Sequence, residues 1–172
     1  MTTLTREKII SIESKTKDLL QEVFGFIDDL KPPIEISKIL EKYNLNLVET
    51  TFTDSNISGG FERPTNTIYI SKDESYPRQK FTLAHELGHF IMHSETQREV
   101  YYRHQIDDPG QDINHEAEAN AFAAALLMPD TILRSNLSKT SDMDDLVKIF
   151  GVSYSAMYYR LKNLGLLSYI II

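Results

Sequence analysis

The chain predicts an α+β fold, mainly helical, with one small antiparallel sheet, and three features of the sequence point there. Apolar residues recur at three- and four-residue intervals over 5–30, 81–93 and 112–128, which is helical spacing. Between the first two of these stretches, over 45–71, the period shortens towards the alternation of strands. Residues 144–165 then read as helix, tight turn, helix, a helix-turn-helix-like pair. At 172 residues the chain can bury a sizeable core but is short for two independent domains of ordinary size. The expected plan is therefore a main domain over 1–130 and a helical extension over 131–172 packed on it.

In chain order, Ile9, Ile12, Leu19, Leu20, Val23, Phe24, Ile27 and Leu30 form one apolar stripe, and Pro32-Pro33 are expected to end that helix. A shorter helix over 35–43 turns Ile36, Ile39 and Leu40 inward. Residues 45–52 read as a strand, and 57–62 and 67–71 as two more, joined by the turn Arg63-Pro64-Thr65-Asn66. Gly59-Gly60 inside a strand marks a bulge or a close backbone approach. An exposed edge of this sheet is a place where a peptide could add as a further strand. Residues 94–111 are polar without periodicity and read as a loop, with Tyr101, Tyr102, Arg103 and His104 clustered in it. The helix over 112–128 is rich in alanine, is capped by Asp112 or Asn114 and is stopped by Pro129. Its small side chains suit tight packing against another helix, with Gly88 the candidate contact.

Composition excludes several chemistries. Without cysteine there is neither a disulfide framework nor a thiolate metal site, so any metal must be held by histidines and carboxylates. The first eight residues are too polar for a signal peptide, and the closing run of isoleucines is too short to span a bilayer. A cytoplasmic location without membrane attachment is expected. The formal net charge of −7 argues against general attraction to nucleic acid or anionic lipid.

The chemistry centres on His85-Glu86-Leu87-Gly88-His89, an H-E-x-x-H pattern whose meaning depends on its lying in a helix. On a helix His85 and His89 are i and i+4, so their rings stand on one face roughly 6 Å apart and can meet one metal ion. Glu86 projects about 100° round the helix, placed to hold a water at the metal rather than the metal itself. His93 continues the face to i+8, roughly 12 Å from His85, too far to share that ion, and reads as the polar end of the helix. Catalytic zinc usually takes three protein ligands. The candidates for the third are, in order, Glu116, Glu118 and His115. Glu116 and Asn120 share a face, so Asn120 can accept the outer ring N–H of His85 or His89 and set its tautomer.

Residues 81–90 together with Glu116, Ala119-Asn120, Phe122-Ala123-Ala124 and Leu126-Leu127-Met128-Pro129 resemble the ImmA/IrrE family of zinc metallo-endopeptidases. Pro32-Pro33-Ile34 and Ser58-Gly59-Gly60 extend the likeness, which runs from about residue 30 to the C-terminus. The resemblance implies a zincin-like metallopeptidase core, Zn2+ held by His85, His89 and Glu116, and Glu86 as the catalytic acid/base. It also implies a cytoplasmic bacterial protein that cleaves or inactivates a helix-turn-helix repressor, an anti-repressor role often found on mobile elements. Tyr101, Tyr102 and His104 are the candidate donors to the oxyanion or the substrate. The alternative from another class is a non-hydrolytic module that keeps the zinc site and inactivates a repressor by binding it. The C-terminal helix pair resembles a DNA-binding unit, yet from Ser141 onward Asp142, Asp144 and Asp145 balance Lys148, Arg160 and Lys162. That balance argues against phosphate neutralisation and against nucleic acid as a partner.

Overall fold

A computed structural model describes residues 4–93, 100–104 and 113–171. Helix α1 (Arg6–Phe24) is capped by Thr5, whose side-chain oxygen accepts a hydrogen bond from the Lys8 amide. It ends earlier than its apolar stripe suggests. Gly25, at φ +85°, turns the chain out of the helix, and 27–30 continue the stripe through a short 3-10 turn. Glycine enters positive φ without a Cβ penalty, so it stops the helix before the two prolines are reached. Helix α2 (Ile36–Lys42) buries Ile36, Ile39 and Leu40 as expected.

The sheet contains β1 (Asn46–Thr50), β2 (Ile57–Glu62), β3 (Thr67–Ser71) and β4 (Val100–His104), in the spatial order β1-β3-β2-β4. Two expectations are corrected here. The sheet is mixed rather than antiparallel, because β1 lies parallel to β3, with Leu47 opposite Ile68. The local hairpin β2–β3 forms across a four-residue turn and puts Phe61 opposite Ile68. With β4 on the other side of β2, the open edge left to β1 is that of β3. The second correction concerns the polar stretch read as a loop. Its residues 100–104 pair antiparallel with β2, Tyr101 opposite Phe61 and Tyr102 opposite Gly60, so a partner strand rather than an apolar period makes them a strand.

Helix α3 (Tyr76–Met92) lies across β2 and β3 and packs most extensively on α4 (Ile113–Leu127). Gly88 is where the two helices meet. A Cβ there would stand 3.1 Å from Phe122 and 3.2 Å from the Ala119 Cα, so both the glycine and the alanine density are set by this approach. Gly59 plays the same part between sheet and helix, since a Cβ on it would fall 2.4 Å from the Thr82 methyl and 2.8 Å from the Tyr69 carbonyl oxygen.

Helices α5 (Asp130–Leu137), α6 (Met143–Phe150) and α7 (Tyr154–Asn163) complete the chain. Between α6 and α7 the turn uses Gly151 at φ +62° and Ser153, whose side chain caps α7 by accepting from the Ala156 amide. Arg160 of α7 points inward and is 5% exposed. Its Nε donates to the Met128 carbonyl at 2.9 Å, and its two terminal nitrogens form a fork on the Glu13 carboxylate. Lys80 of α3 donates to the Phe150 carbonyl at 3.2 Å. Among the described residues no helix is long and apolar enough to cross a membrane.

Two stability predictions follow from these contacts. Gly59→Ala is expected to lower stability to urea by about 1–3 kcal/mol, the range for forced overpacking, because a backbone oxygen cannot rotate away. An unchanged unfolding midpoint would show that β2 and α3 part easily. Arg160→Met is expected to destabilise by about 2 kcal/mol, less than a fully buried pair would lose because the Glu13 side chain keeps 29% of its exposure. The double variant Glu13→Leu/Arg160→Met should recover most of that loss in the same titration, since no charge is then left unpaired.

Candidate metal centre

The α3–α4 contact places three donors around one point. His85 and His89 project from α3 one turn apart, 0% and 2% exposed, with their Nε2 atoms 3.0 Å apart. Glu116 reaches them from the first turn of α4, Oε2 lying 3.2 Å from His85 Nε2 and Oε1 3.1 Å from His89 Nε2. A tetrahedral zinc with arms of about 2.0 Å has ligand–ligand edges of about 3.3 Å. The separations observed are close to such edges, and two imidazoles with one carboxylate are a donor set suited to a divalent metal such as zinc. The Glu116 side chain keeps 23% of its exposure, so the cluster faces solvent on the α4 side.

Hydrogen bonding prepares the rings for this. His85 Nδ1 lies 3.0 Å from Asn120 Oδ1, and an amide oxygen only accepts, so the proton sits on Nδ1 and the Nε2 lone pair is turned to the cluster. Asn120 therefore stands where a ligand-orienting residue was expected, one helical turn beyond Glu116.

The other two candidates for the third position face elsewhere. Glu118 accepts from His93 Nε2 at 3.2 Å and pairs with Lys8 Nζ at 2.7 Å. Burial opposes its charge, and the bonds from Lys8 and His93 lower its pKa in spite of that. His115 stacks on His93, ring centroids 4.1 Å apart. His93 ends α3 as expected, as its C-cap, but does so in the interior. It is 5% exposed, its Nδ1 is 3.1 Å from His89 Nδ1, and burial pushes its pKa down to about 4, leaving it neutral near pH 7. The group missed from sequence is thus Lys8–Glu118–His93. The available signals were the i+4 spacing of His93 from His89 and the second acid two residues after Glu116.

Glu86 follows His85 in the helix and is fully buried. Tyr101, Tyr102 and His104 lie on β4, opposite Phe61, Gly60 and Ile57 in turn, but their side chains fall outside the described residues. The same holds for the cap expected at Asp112.

Comparisons with known proteins bear on the family and the fold. Residues 40–162 match a peptidase family described as the IrrE N-terminal-like domain. The radiation response metalloprotease IrrE of Deinococcus radiodurans is 31% identical over 111 residues, 61% of this chain and 33% of that protein. The uncharacterized immunity region protein 2 of Bacillus phage phi105 is 26% identical over 105 residues, 61% of this chain and 63% of its own. The chain thus spans about a third of the first relative and under two thirds of the second. A solved structure described as a Mycobacterium tuberculosis transcriptional regulator superposes with a TM-score of 0.66, over 89% of this chain and 46% of that one. At 14% identity that likeness is one of fold. With well over half of its residues inside the match, the chain belongs to the IrrE N-terminal-like family of peptidase domains.

Proposed function

We propose that this chain is a zinc-dependent endopeptidase that cleaves a regulatory protein, with a helix-turn-helix repressor as the substrate class and the bacterial cytoplasm as the setting. The observation that carries the reading is the triangle of His85, His89 and Glu116 donors with edges of 3.0, 3.1 and 3.2 Å, beside a buried glutamate one residue after the first histidine. A structural zinc site normally fills its fourth position with another protein ligand and has no use for such a base.

In this reading His85, His89 and Glu116 hold the ion. Asn120 keeps the His85 ring in the tautomer that offers Nε2. Zinc at that point supplies Lewis acidity, polarising a peptide carbonyl and bringing the pKa of a water to about 7. The Glu86 carboxylate takes the proton of the attacking water and delivers it to the leaving amine nitrogen. Burial of Glu86 beside apolar α3 neighbours keeps bulk water from competing for that proton. An oxyanion donor from Tyr101, Tyr102 or His104 remains part of the proposal, supported by the position of β4 at the sheet edge. Among the described residues β4 ends the sheet, an edge to which an extended peptide could add.

The substrate class rests on the ImmA/IrrE resemblance and on the phage relative, whose name places it in an immunity region. The C-terminal helices are read as part of the protein surface rather than as a DNA reader. Arg160 is committed to Glu13, which leaves Lys162 as the remaining basic residue of α7.

Two substitutions separate the parts of this proposal. Glu116→Ala is expected to weaken zinc binding by more than the ten- to hundredfold that loss of an outer partner costs, read by competition with a chromophoric chelator. Unchanged affinity would move the third ligand elsewhere. Glu86→Gln should bind zinc like the parent protein while cleavage of candidate repressors falls by about two to four orders of magnitude, read as fragment masses with and without chelator. Retained cleavage would remove Glu86 from the mechanism. An intact repressor held in a stable complex by the zinc-loaded parent protein would favour inactivation by binding.

A further inference from the structure

We infer that His93, held by Glu118, is a positioning residue that fixes the tautomer of His89 and so keeps the His89 Nε2 lone pair on the metal. The inference rests on the metal-centre reading above and adds a part to it.

The argument follows one proton at a time. Glu118 Oε2 lies 3.2 Å from His93 Nε2, and a carboxylate only accepts, so His93 carries its proton on Nε2. The Nδ1 of a neutral His93 is then a bare lone pair. It lies 3.1 Å from His89 Nδ1, which must supply the hydrogen for that contact. With its proton on Nδ1, His89 presents Nε2 to Glu116 and His85 as an acceptor, the form a metal requires. Reversing any one step is incompatible with a metal on His89 Nε2. A proton on His93 Nδ1 would face the proton on His89 Nδ1 across 3.1 Å, or drive His89 into the tautomer whose Nε2–H points at the ion site.

The two ligand rings are thus set by different devices. His85 is oriented in one step by the amide of Asn120, on the same helix as Glu116. His89 is oriented in two steps, through a second imidazole to a carboxylate on that helix. His93 has little freedom to depart from its place, being 5% exposed and stacked on the His115 ring at 4.1 Å. The chain of contacts ends at Lys8 on α1, whose Nζ lies 2.7 Å from Glu118 Oε1. Residue 8 lies before the span 40–162 that matches the family, so α1 supplies the outermost link. With Lys8 at 46% exposure, that link is the weak one.

The test is zinc affinity of the full chain, by chelator competition, set beside the melting midpoint of the metal-free protein. His93→Leu is expected to bind zinc about ten- to a hundredfold more weakly, with a metal-free midpoint close to the parent value. His93→Asn should restore most of the affinity, because an amide oxygen can occupy the Nδ1 position and accept from His89. Glu118→Leu should weaken binding about tenfold, and Lys8→Ala less than either. In zinc-loaded parent protein, long-range proton–nitrogen spectra should show His89 protonated on Nδ1 and His93 protonated on Nε2. Parent protein that takes up no zinc would overturn the metal-centre reading and this inference together. Zinc uptake with His93→Leu binding as tightly as the parent, or His93 protonated on Nδ1, would overturn the inference alone. Should His93→Leu fail to fold, the parent spectra and His93→Asn decide.

Discussion

The close approach of two helices at Gly88 is the constraint on which the rest depends. With no Cβ at that position, α4 comes near enough for the Ala119 Cα to sit where a side chain would otherwise be. Glu116 lies three residues before that contact and His85 and His89 lie on either side of it, so the same approach brings carboxylate and imidazoles together. A glycine inside a helix lowers its intrinsic stability by about 1 kcal/mol relative to alanine, a loss offset here by burial of Phe122, Leu87 and Ala123 around the contact.

Placing so many polar groups inside that contact is only possible because they satisfy one another. His85, His89 and His93 are all buried, and an unpaired polar group in such a place costs more than a formed hydrogen bond contributes. The solution is a layered one: carboxylate against ligand rings on one side, an amide behind the first ring, and a histidine backed by a carboxylate behind the second. At the outer end of the layer Glu118 accepts from both Lys8 and His93, so its charge is met by donors. The contacts of His85 with Asn120 and of His89 with His93 thereby restrict how each ring can turn.

The sheet and the C-terminal helices serve this centre from outside. Gly59 lets β2 lie against Thr82 of α3, which holds the helix of His85 and His89 to the sheet, and the Lys80 bond to the end of α6 holds it from the other direction. Arg160 joins α7 to α1 and to the end of α4 through one guanidinium. The residue that would suit a phosphate by type is thus a structural clamp, and the outer face of α7 shows tyrosines 154, 158 and 159 instead.

Local spacing alone determined that residues 81–93 lie in a helix bearing two histidines one turn apart, that a second alanine-rich helix carries acids, and that Glu116 and Asn120 share a face of it. These are properties of a 3.6-residue period and hold whatever the rest of the chain does. What only the tertiary structure decided are matters of which faces meet. Glu116 rather than Glu118 joins the rings, Glu118 goes to His93, and His93 ends α3 in the interior rather than in solvent, because the rotation of α4 about its axis is set by packing at Gly88. The parallel pairing of β1 and the strand at 100–104 were likewise invisible in local pattern, since a strand is stabilised by the neighbour it finds.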